Sequence, residues 1–340
     1  MDPLGIPDVS RRDVVADPNR HLVWLQSGLA PRALVGGKGF SLSRLLMLGA
    51  PVPPAFALTT HVYREFAACL SLPVQIGEFA DDDLPDIRAK IESTPLPPSL
   101  AELIACGFRT FEQTYGDSPV LAVRSSATAE DSATFSFAGL HDTVLDVRDV
   151  PRLERAVKQC WASLWSERAV AYRRAGGLAT DEAEIAVVVQ ALIPSDVSFV
   201  VFTADPVNGN DDYVIISATW GLGEAVVSGL VVPDHIVIGP RGDVIEYLVG
   251  DKDRMIIPAG DGGQGTREVA VPRVLRTEPV LTTAQATTIG SMARDLSHRL
   301  GYKADIEGGI ANGSVYVFQA RPITTVSPGQ RAVEAGSPAH

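Results

Sequence analysis

The stretch from Leu121 to Asp146, LAVRSSATAEDSATFSFAGLHDTVLD, combines residue types that can bind phosphate groups. Arg124 supplies a permanent, forked cation, and Gly139 would let backbone N–H groups approach oxygens that a Cβ atom would hold away. Thr143 closes the small-residue segment. A surface turn rich in Ser, Ala and Thr has the same composition, so this stretch alone leaves both interpretations open.

A second candidate cation is Lys38, within the segment VGGKGFSLSRLLMLG. Leucines at helical spacing follow the glycines, which predicts that Lys38 lies at a glycine-rich turn just before a helix N-terminus, where an anion can bind. The segment is not a Walker A loop, because that motif needs Ser or Thr where Gly39 stands. A helix cap with a solvated lysine is the alternative.

A third group of candidates lies in ADIEGGIANGSVYVFQARPIT, which predicts a hairpin centred on Asn312 and Gly313. Gln319 and Arg321 are two residues apart and therefore share one face of their strand. A carboxylate on the facing strand would complete a set suited to Mg²⁺ and the end of a triphosphate, because Mg²⁺ takes hard oxygen ligands. An exposed hairpin with salt bridges is the alternative.

The loop length decides which carboxylate that is. A two-residue loop would place Glu307 opposite Phe318, whereas a three-residue loop would place Glu307 opposite Gln319 and Asp305 opposite Arg321. The second register brings the polar groups onto one surface, and we expect it on chemical grounds.

The elements that must position these residues follow from periodicity. Helices are expected at 62–70, 84–93 and 283–300, with one long helix from Pro151 to Gly176. Strands are expected at 185–193, 198–204, 213–220, 235–238 and 244–249, without intervening helices, which indicates a mainly antiparallel second subdomain that begins near Gln190. The segment GLGEAVVSGLVVPD interrupts these strands, and its GxG start is weak evidence for a dinucleotide site.

Composition excludes several classes of function. A net charge of −12 over 340 residues argues against a nucleic-acid or anionic-membrane binder, so a phosphate ligand needs a local basic site. Three widely spaced cysteines suggest neither a disulfide framework nor a zinc site. Neither a secretory signal nor a membrane-spanning run is visible, and we expect a cytoplasmic protein.

Four segments together, GGKG, RSSATAEDxxxxxFAGxxDT, GLGExVVSG and the terminal DIE with QARPIT, resemble the N-terminal ATP-binding domain of the phosphoenolpyruvate synthase and pyruvate phosphate dikinase family. The resemblance covers roughly residues 20 to 325. It implies an α+β, ATP-grasp-like fold in which two subdomains enclose a nucleotide cleft. We accordingly expect an N-terminal subdomain over residues 1–189, a C-terminal subdomain over 190–325 and a flexible tail over 326–340.

The resemblance also implies roles for individual residues, with ATP and Mg²⁺ as the ligands. Lys38, Arg124 and Arg321 would contact phosphates and act in catalysis, and the last would reach the terminal phosphates. The remaining expected contacts are Gly139 and Thr143 in a loop that covers the phosphates, Gln190, Ala191 and Ile193 along the adenine edge, and Glu307 and Gln319 on magnesium.

Family members carry a phosphorylatable histidine in a further domain, and none of the six histidines of this chain lies in that motif. Either the sequence is part of a longer chain or the enzyme is split, and we expect a split enzyme similar to phenylphosphate synthase, in which a separate subunit carries the histidine and the acceptor site. ATP would give AMP, inorganic phosphate and a phosphorylated phenol or other small hydroxyl compound. A stand-alone small-molecule kinase that releases ADP, and a non-catalytic nucleotide sensor, are the alternatives.

Overall fold

The computed structural model describes residues 21–72, 80–116, 118–128, 143–175, 184–206, 209–260, 263 and 265–323. Gly139 and the expected tail at 326–340 lie outside the described residues. Within them, no helix is both long and apolar enough to pass through a lipid bilayer. The described part of the chain forms two large sheets with helices packed against them.

The first sheet has five strands in the order β1-β2-β5-β3-β4, and its strand pairings are antiparallel. Its strands alternate along the chain with the helices that cover it, and aromatic residues such as Trp161 and Phe56 fill the core between them. These elements are β1 (Leu22–Trp24), β2 (Ala55–Leu58), α2 (Thr60–Leu70), α3 (Leu84–Ser93), α4 (Pro98–Tyr115), β3 (Leu121–Ala127), β4 (Thr143–Val147), α5 (Val150–Ser163), α6 (Glu167–Ala175) and β5 (Ile185–Ala191).

The second sheet has six antiparallel strands in the order β13-β12-β6-β7-β8-β9. One long helix, α8, packs on it through Ala286, Ile289, Ala293 and Leu296. A separate two-stranded sheet, β10 with β11, stands beside it. The elements are β6 (Val197–Phe202), β7 (Val214–Trp220), α7 (Glu224–Val227), β8 (Asp234–Ile238), β9 (Val244–Leu248), β10 (Arg254–Pro258), β11 (Thr266–Ala270), α8 (Thr283–Leu300), β12 (Ala304–Ala311) and β13 (Ser314–Pro322).

Helix α1 (Arg32–Met47) joins the two sheets. Its Val35, Leu42 and Leu45 belong to the same buried cluster as Val188 of the first sheet and Ile306 of the second. The Ser41 hydroxyl also donates a hydrogen bond to the Ala320 carbonyl of β13. The predicted α+β class is therefore confirmed, and α1 connects the two sheets.

Lys38 lies after a break inside α1, whereas the sequence predicted a turn before a helix. The chain is already helical from Arg32, and Gly36 interrupts the helix with φ 71° and ψ −175°. A Cβ atom on Gly36 would lie 2.0 Å from the Ser126 carbonyl oxygen of β3, so only glycine permits this close approach. The Ser126 hydroxyl donates to Val35 O at 2.7 Å and accepts from Gly39 N at 3.1 Å, which satisfies backbone groups that the break leaves without helical partners.

One further helix prediction needs correction, and one helix was missed. The expected single helix from Pro151 to Gly176 is two helices, because the chain turns between Leu164 and Ser166 to bury Trp165 in the first core. Helix α4 was not predicted. The helices at 84–93 and 283–300 are confirmed, as α3 and α8. The expected subdomain boundary after residue 189 falls within β5, which continues in the first sheet to Ala191.

Candidate functional site

A cavity of about 450 Å³ lies between the two sheets. One wall comes from α1, β3, β4 and β5, and the other from β6, α7, β12 and β13. All the predicted site residues within the described part of the chain line it: Lys38, Arg124, Thr143, Gln190, Ala191, Ile193, Glu307, Gln319 and Arg321. The residues that the sequence singled out in three distant segments therefore share one cavity.

The terminal hairpin has the expected pairing, but for a different reason. Its loop contains two residues, Asn312 and Gly313, with φ 50° and 77°, so the predicted three-residue loop is wrong. Glu307 nevertheless lies opposite Gln319, and Asp305 opposite Arg321, because the register shifts between Glu307 and Gly308. This β-bulge adds one residue on the β13 side and restores the polar register that a two-residue loop would have lost.

Arg124 connects the two walls of the cavity. Its guanidinium donates to the Gln319 side-chain oxygen at 2.6 Å and to the Phe318 carbonyl at 2.8 Å, and it lies 3.9 Å from Glu307. A longer hydrogen bond of 3.4 Å reaches the side-chain oxygen of Gln190. Because the residue is only 9% exposed, these charge-assisted contacts act in a region of reduced water access.

The other two cations also have partners within the chain. The Lys38 ammonium donates to the Ser125 carbonyl at 2.9 Å and is 8% exposed. Arg321 bonds one oxygen of Asp305 through two nitrogens, at 2.8 and 2.7 Å. Asp305 thereby fixes the direction of the Arg321 guanidinium, which remains partly exposed at the cavity.

Glu307 and Gln319 offer side-chain oxygens at the cavity. They lie on paired positions of adjacent strands, and the same Arg124 nitrogen approaches both, at 3.9 and 2.6 Å. A carboxylate and an amide oxygen are hard donors of the kind that Mg²⁺ accepts, and Mg²⁺ commonly takes few ligands from protein. This donor set is consistent with the expected magnesium site.

The opposite end of the cavity is apolar. Ile193 packs with Tyr316 and Ala311 in a small buried cluster, and Phe318 lies against it. Such a surface suits a flat base, and the neighbouring Gln190 adds a polar side chain that is 2% exposed. The N–H of Ala191 already donates to the Pro54 carbonyl at 2.8 Å, so a base contact through that N–H is not available.

Sequence reasoning missed three contributors to this site. Phe318 was placed on the face opposite Gln319, but the bulge brings both residues to the cavity. Ser126 stands in the phosphate-binding stretch, yet its role in the α1 break depends on a contact 91 residues away in the sequence. Glu224 lines the cavity from the GLGE segment, which the sequence flagged without assigning a role.

Comparison with known proteins places this site in a family. Residues 32–337 match the family model for the pyruvate phosphate dikinase AMP/ATP-binding domain. Among solved structures, D-alanyl-alanine synthetase A from Vibrio cholerae aligns over 85% of this chain and 56% of that chain, with 11% identity and a TM-score of 0.33.

Curated relatives are considerably more similar. A rifampicin phosphotransferase from Streptomyces sviceus is 39% identical over 87% of this chain and 35% of its own length. A phosphoenolpyruvate synthase from Pyrococcus furiosus is 35% identical over 89% of this chain and 43% of its own length. A prodigiosin synthesizing transferase from Serratia marcescens is 38% identical over 87% of this chain and 32% of its own length. The chain thus spans between about a third and less than half of these relatives, and it belongs to the pyruvate phosphate dikinase AMP/ATP-binding domain family.

Proposed function

We propose that this chain binds ATP with Mg²⁺ and supplies the nucleotide-binding part of a phosphotransferase that works through a phosphohistidine. The observation that carries the proposal is the convergence of Lys38, Arg124 and Arg321 on one cavity with the Glu307 and Gln319 oxygens. Three cations from three distant segments suit a polyphosphate, and phosphoryl transfer is catalysed mainly by positioning and charge neutralisation.

Each residue has a distinct part in this proposal. Lys38, Arg124 and Arg321 hold the phosphate oxygens, and the fork of Arg124 also neutralises charge that develops on the transferred group. Glu307 and Gln319 would hold Mg²⁺, which supplies further neutralisation of the phosphates when it is bound. Thr143 lies on the same wall, at the start of β4, where it can bond a phosphate oxygen.

The phosphoryl acceptor must enter from outside the described cavity. Of the residues that line the cavity in the described ranges, none is a histidine. We place the phosphorylatable histidine and the acceptor site on a separate cytoplasmic subunit, so that ATP, water and acceptor give AMP, inorganic phosphate and a phosphorylated acceptor. We take the acceptor to be a phenol or another small hydroxyl compound, as in split phenylphosphate synthases.

A nucleotide product assay tests this function. The chain is incubated with Mg²⁺ and ATP labelled at the β- or γ-phosphate, alone and with proteins that co-purify from its source, and a panel of phenols is added. We expect little AMP from the chain alone, and AMP with β-label on an acid-labile phosphohistidine once the partner is present. ADP with a phosphorylated phenol, formed by the chain alone, would instead identify a direct kinase.

A variant separates catalysis from nucleotide sensing. Arg321→Ala should abolish most AMP formation in the presence of the partner, whereas Glu246→Ala on the exposed strand β9 should leave it unchanged. Partner turnover that is the same with Arg321→Ala as with the unaltered chain would indicate a non-catalytic sensor.

A further inference from the structure

Ser126 lies behind the cavity, on the strand that carries Arg124. The two residues are two apart on β3 and therefore share one face of that strand. Ser126 is fully buried and is not among the residues that line the cavity, so its side chain does not touch a ligand there. It meets α1 instead, at the break beside Gly36. Any part that Ser126 has in binding must therefore act through another residue.

The Ser126 hydroxyl stands in the hydrogen-bond ladder of α1. In an unbroken α-helix the Gly39 N–H would donate to the Val35 carbonyl, four residues earlier. Here the Gly39 N–H donates to the Ser126 oxygen at 3.1 Å, and the Ser126 hydroxyl donates to the Val35 carbonyl at 2.7 Å. A side chain that inserts between the two partners of a helical hydrogen bond produces a sharp kink. One hydroxyl therefore bonds both ends of the break.

The same break sets the position of Lys38, which follows Gly36 and its extended ψ of −175°. The Lys38 ammonium donates to the Ser125 carbonyl at 2.9 Å. Consecutive residues of β3 therefore hold both the backbone around Lys38 and the end of its side chain. Helical ψ is about −42°, so a return of Gly36 to helical geometry would reorient every later residue of α1 relative to β3.

We propose that Ser126 is a positioning residue for ATP binding, which holds Lys38 at a fixed place relative to Arg124 by keeping α1 broken. The inference rests on the proposed nucleotide function and adds to it a residue that touches no part of the nucleotide. Glycine adopts helical and positive φ with similar ease, so Gly36 permits the break but does not impose it. The Ser126 hydroxyl supplies the bonds that make the broken form the stable one.

Removal of that hydroxyl favours closure of the helix. Val35 and Gly39 are both buried, so water does not replace the hydroxyl at their backbone groups. A buried N–H and a buried carbonyl without partners are costly, and each is the helical partner that the other lacks. When they bond directly, the backbone at Lys38 turns and the ammonium leaves its place at the cavity.

A double-mutant cycle tests this role. Calorimetric titration with ATP in Mg²⁺ should show that Ser126→Ala and Lys38→Met each weaken binding at least about tenfold. The double variant should bind ATP at most about twofold more weakly than Lys38→Met alone, because Ser126 acts through Lys38. The matched control is Ser43→Ala, which should bind ATP as the unaltered chain does. Ser43 is also a fully buried serine of α1, but its hydroxyl donates to the Phe40 carbonyl, away from the break.

Two results would overturn the proposal and leave the ATP site standing. One is unaltered ATP affinity in either single variant, and the other is an equal loss from Ser126→Ala with and without the Lys38 side chain. If Lys38→Met binds ATP too weakly for titration, adenosine decides the outcome. It has no phosphate for Lys38, so Ser126→Ala should bind adenosine as tightly as the unaltered chain does, and a loss equal to that for ATP would contradict the proposed role.

Folding of the variants is checked by thermal unfolding. If Ser126→Ala does not fold, Ser126→Cys takes its place, because a thiol keeps a weak donor at the same position. Failure of both to fold would assign Ser126 to stability alone and overturn the proposal. Failure of the unaltered chain to bind ATP would overturn the proposed function as well.

Discussion

Two regions of the protein bury charged groups, and they do so in different ways. Asp234 and Lys252 form an ion pair with both side chains fully buried, and neither residue lines the cavity. Arg124 and Gln190 are also buried, but they line the cavity between the sheets. The first network is closed by hydrogen bonds, whereas the second keeps groups that a ligand can use.

The closed network has a protein donor for every oxygen of Asp234. One oxygen accepts from Lys252 and from Gly250 N, and the other accepts from the Tyr247 hydroxyl at 2.9 Å and from Val280 N at 2.8 Å. Burial, with the neighbouring Asp234 carboxylate, raises the pKa of Tyr247. This network fastens the segment that carries β10 and β11 to the second sheet, so we assign it to stability.

The open network is incomplete within the described residues. The side-chain nitrogen of Gln190 is buried without a hydrogen-bond partner there. A buried amide without a partner costs about 1 to 3 kcal/mol. The comparison teaches that burial of charge alone does not identify a functional site, whereas buried polar groups that the protein leaves unsatisfied around a cavity do.

The largest effect on the free energy of unfolding is expected in the closed network around Asp234. Lys252→Ala leaves Asp234 buried without its cation and should lower the free energy of unfolding by about 3 to 5 kcal/mol. Chemical denaturation measures the loss. At a temperature where the variant is folded, its affinity for ATP should equal that of the unaltered chain, and a selective loss of ATP binding would break the distinction between the two networks.

Arg124→Lys should have the largest effect on catalysis. The charge remains, but the fork that reaches Gln319 and Phe318 is lost, and turnover with the partner should fall about 10²- to 10³-fold. Single-turnover kinetics measures this fall, and denaturation should show a stability loss below about 2 kcal/mol. A loss of stability comparable to that of Lys252→Ala, with turnover retained, would assign Arg124 to structure.

The break in α1 should also be sensitive. Gly36→Ala should cost at least about 2 kcal/mol more than Gly49→Ala, because both glycines have positive φ but only Gly36 meets another backbone, at 2.0 Å. Thermal unfolding of the two variants gives the difference. Equal losses would show that the close approach to Ser126 does not constrain the placement of Lys38.

Gln190→Leu should lower ATP affinity without lowering stability, whereas Lys252→Ala should lower stability without lowering ATP affinity. Removal of a buried amide whose nitrogen lacks a partner, and whose oxygen accepts only the long hydrogen bond from Arg124, should change the free energy of unfolding by less than about 1 kcal/mol, while ATP affinity falls about tenfold. Denaturation and calorimetry on the same preparation measure both quantities. A destabilised variant with unaltered ATP affinity would place Gln190 among the structural groups.

Much of the site could be predicted because its residues lie in segments with recognisable local sequence patterns. The period of 3.6 residues located α3 and α8, and the alternation along β13 placed Gln319 and Arg321 on one face. What local patterns could not supply were effects of distant contacts. The break at Gly36 depends on Ser126, and the division between α5 and α6 accompanies the burial of Trp165.

The pairing of Asp234 with Lys252 illustrates the same limit. Each residue in the sequence resembles an ordinary surface charge, and only the packing of β8 against the loop that precedes β10 buries the two together. The bulge beside Phe318 is similar, since a two-residue loop alone predicts the wrong partner for Glu307.

The central claim is that Arg124 binds the phosphates of ATP in the cavity between the sheets. Calorimetric titration of Mg²⁺ with ATP into the unaltered chain, Arg124→Met and Glu246→Ala tests it most directly. We expect one ATP per chain for the unaltered protein and for Glu246→Ala, and at least a hundredfold weaker binding to Arg124→Met in a folded protein. Equal affinity for all three proteins, or no binding to any, would contradict it.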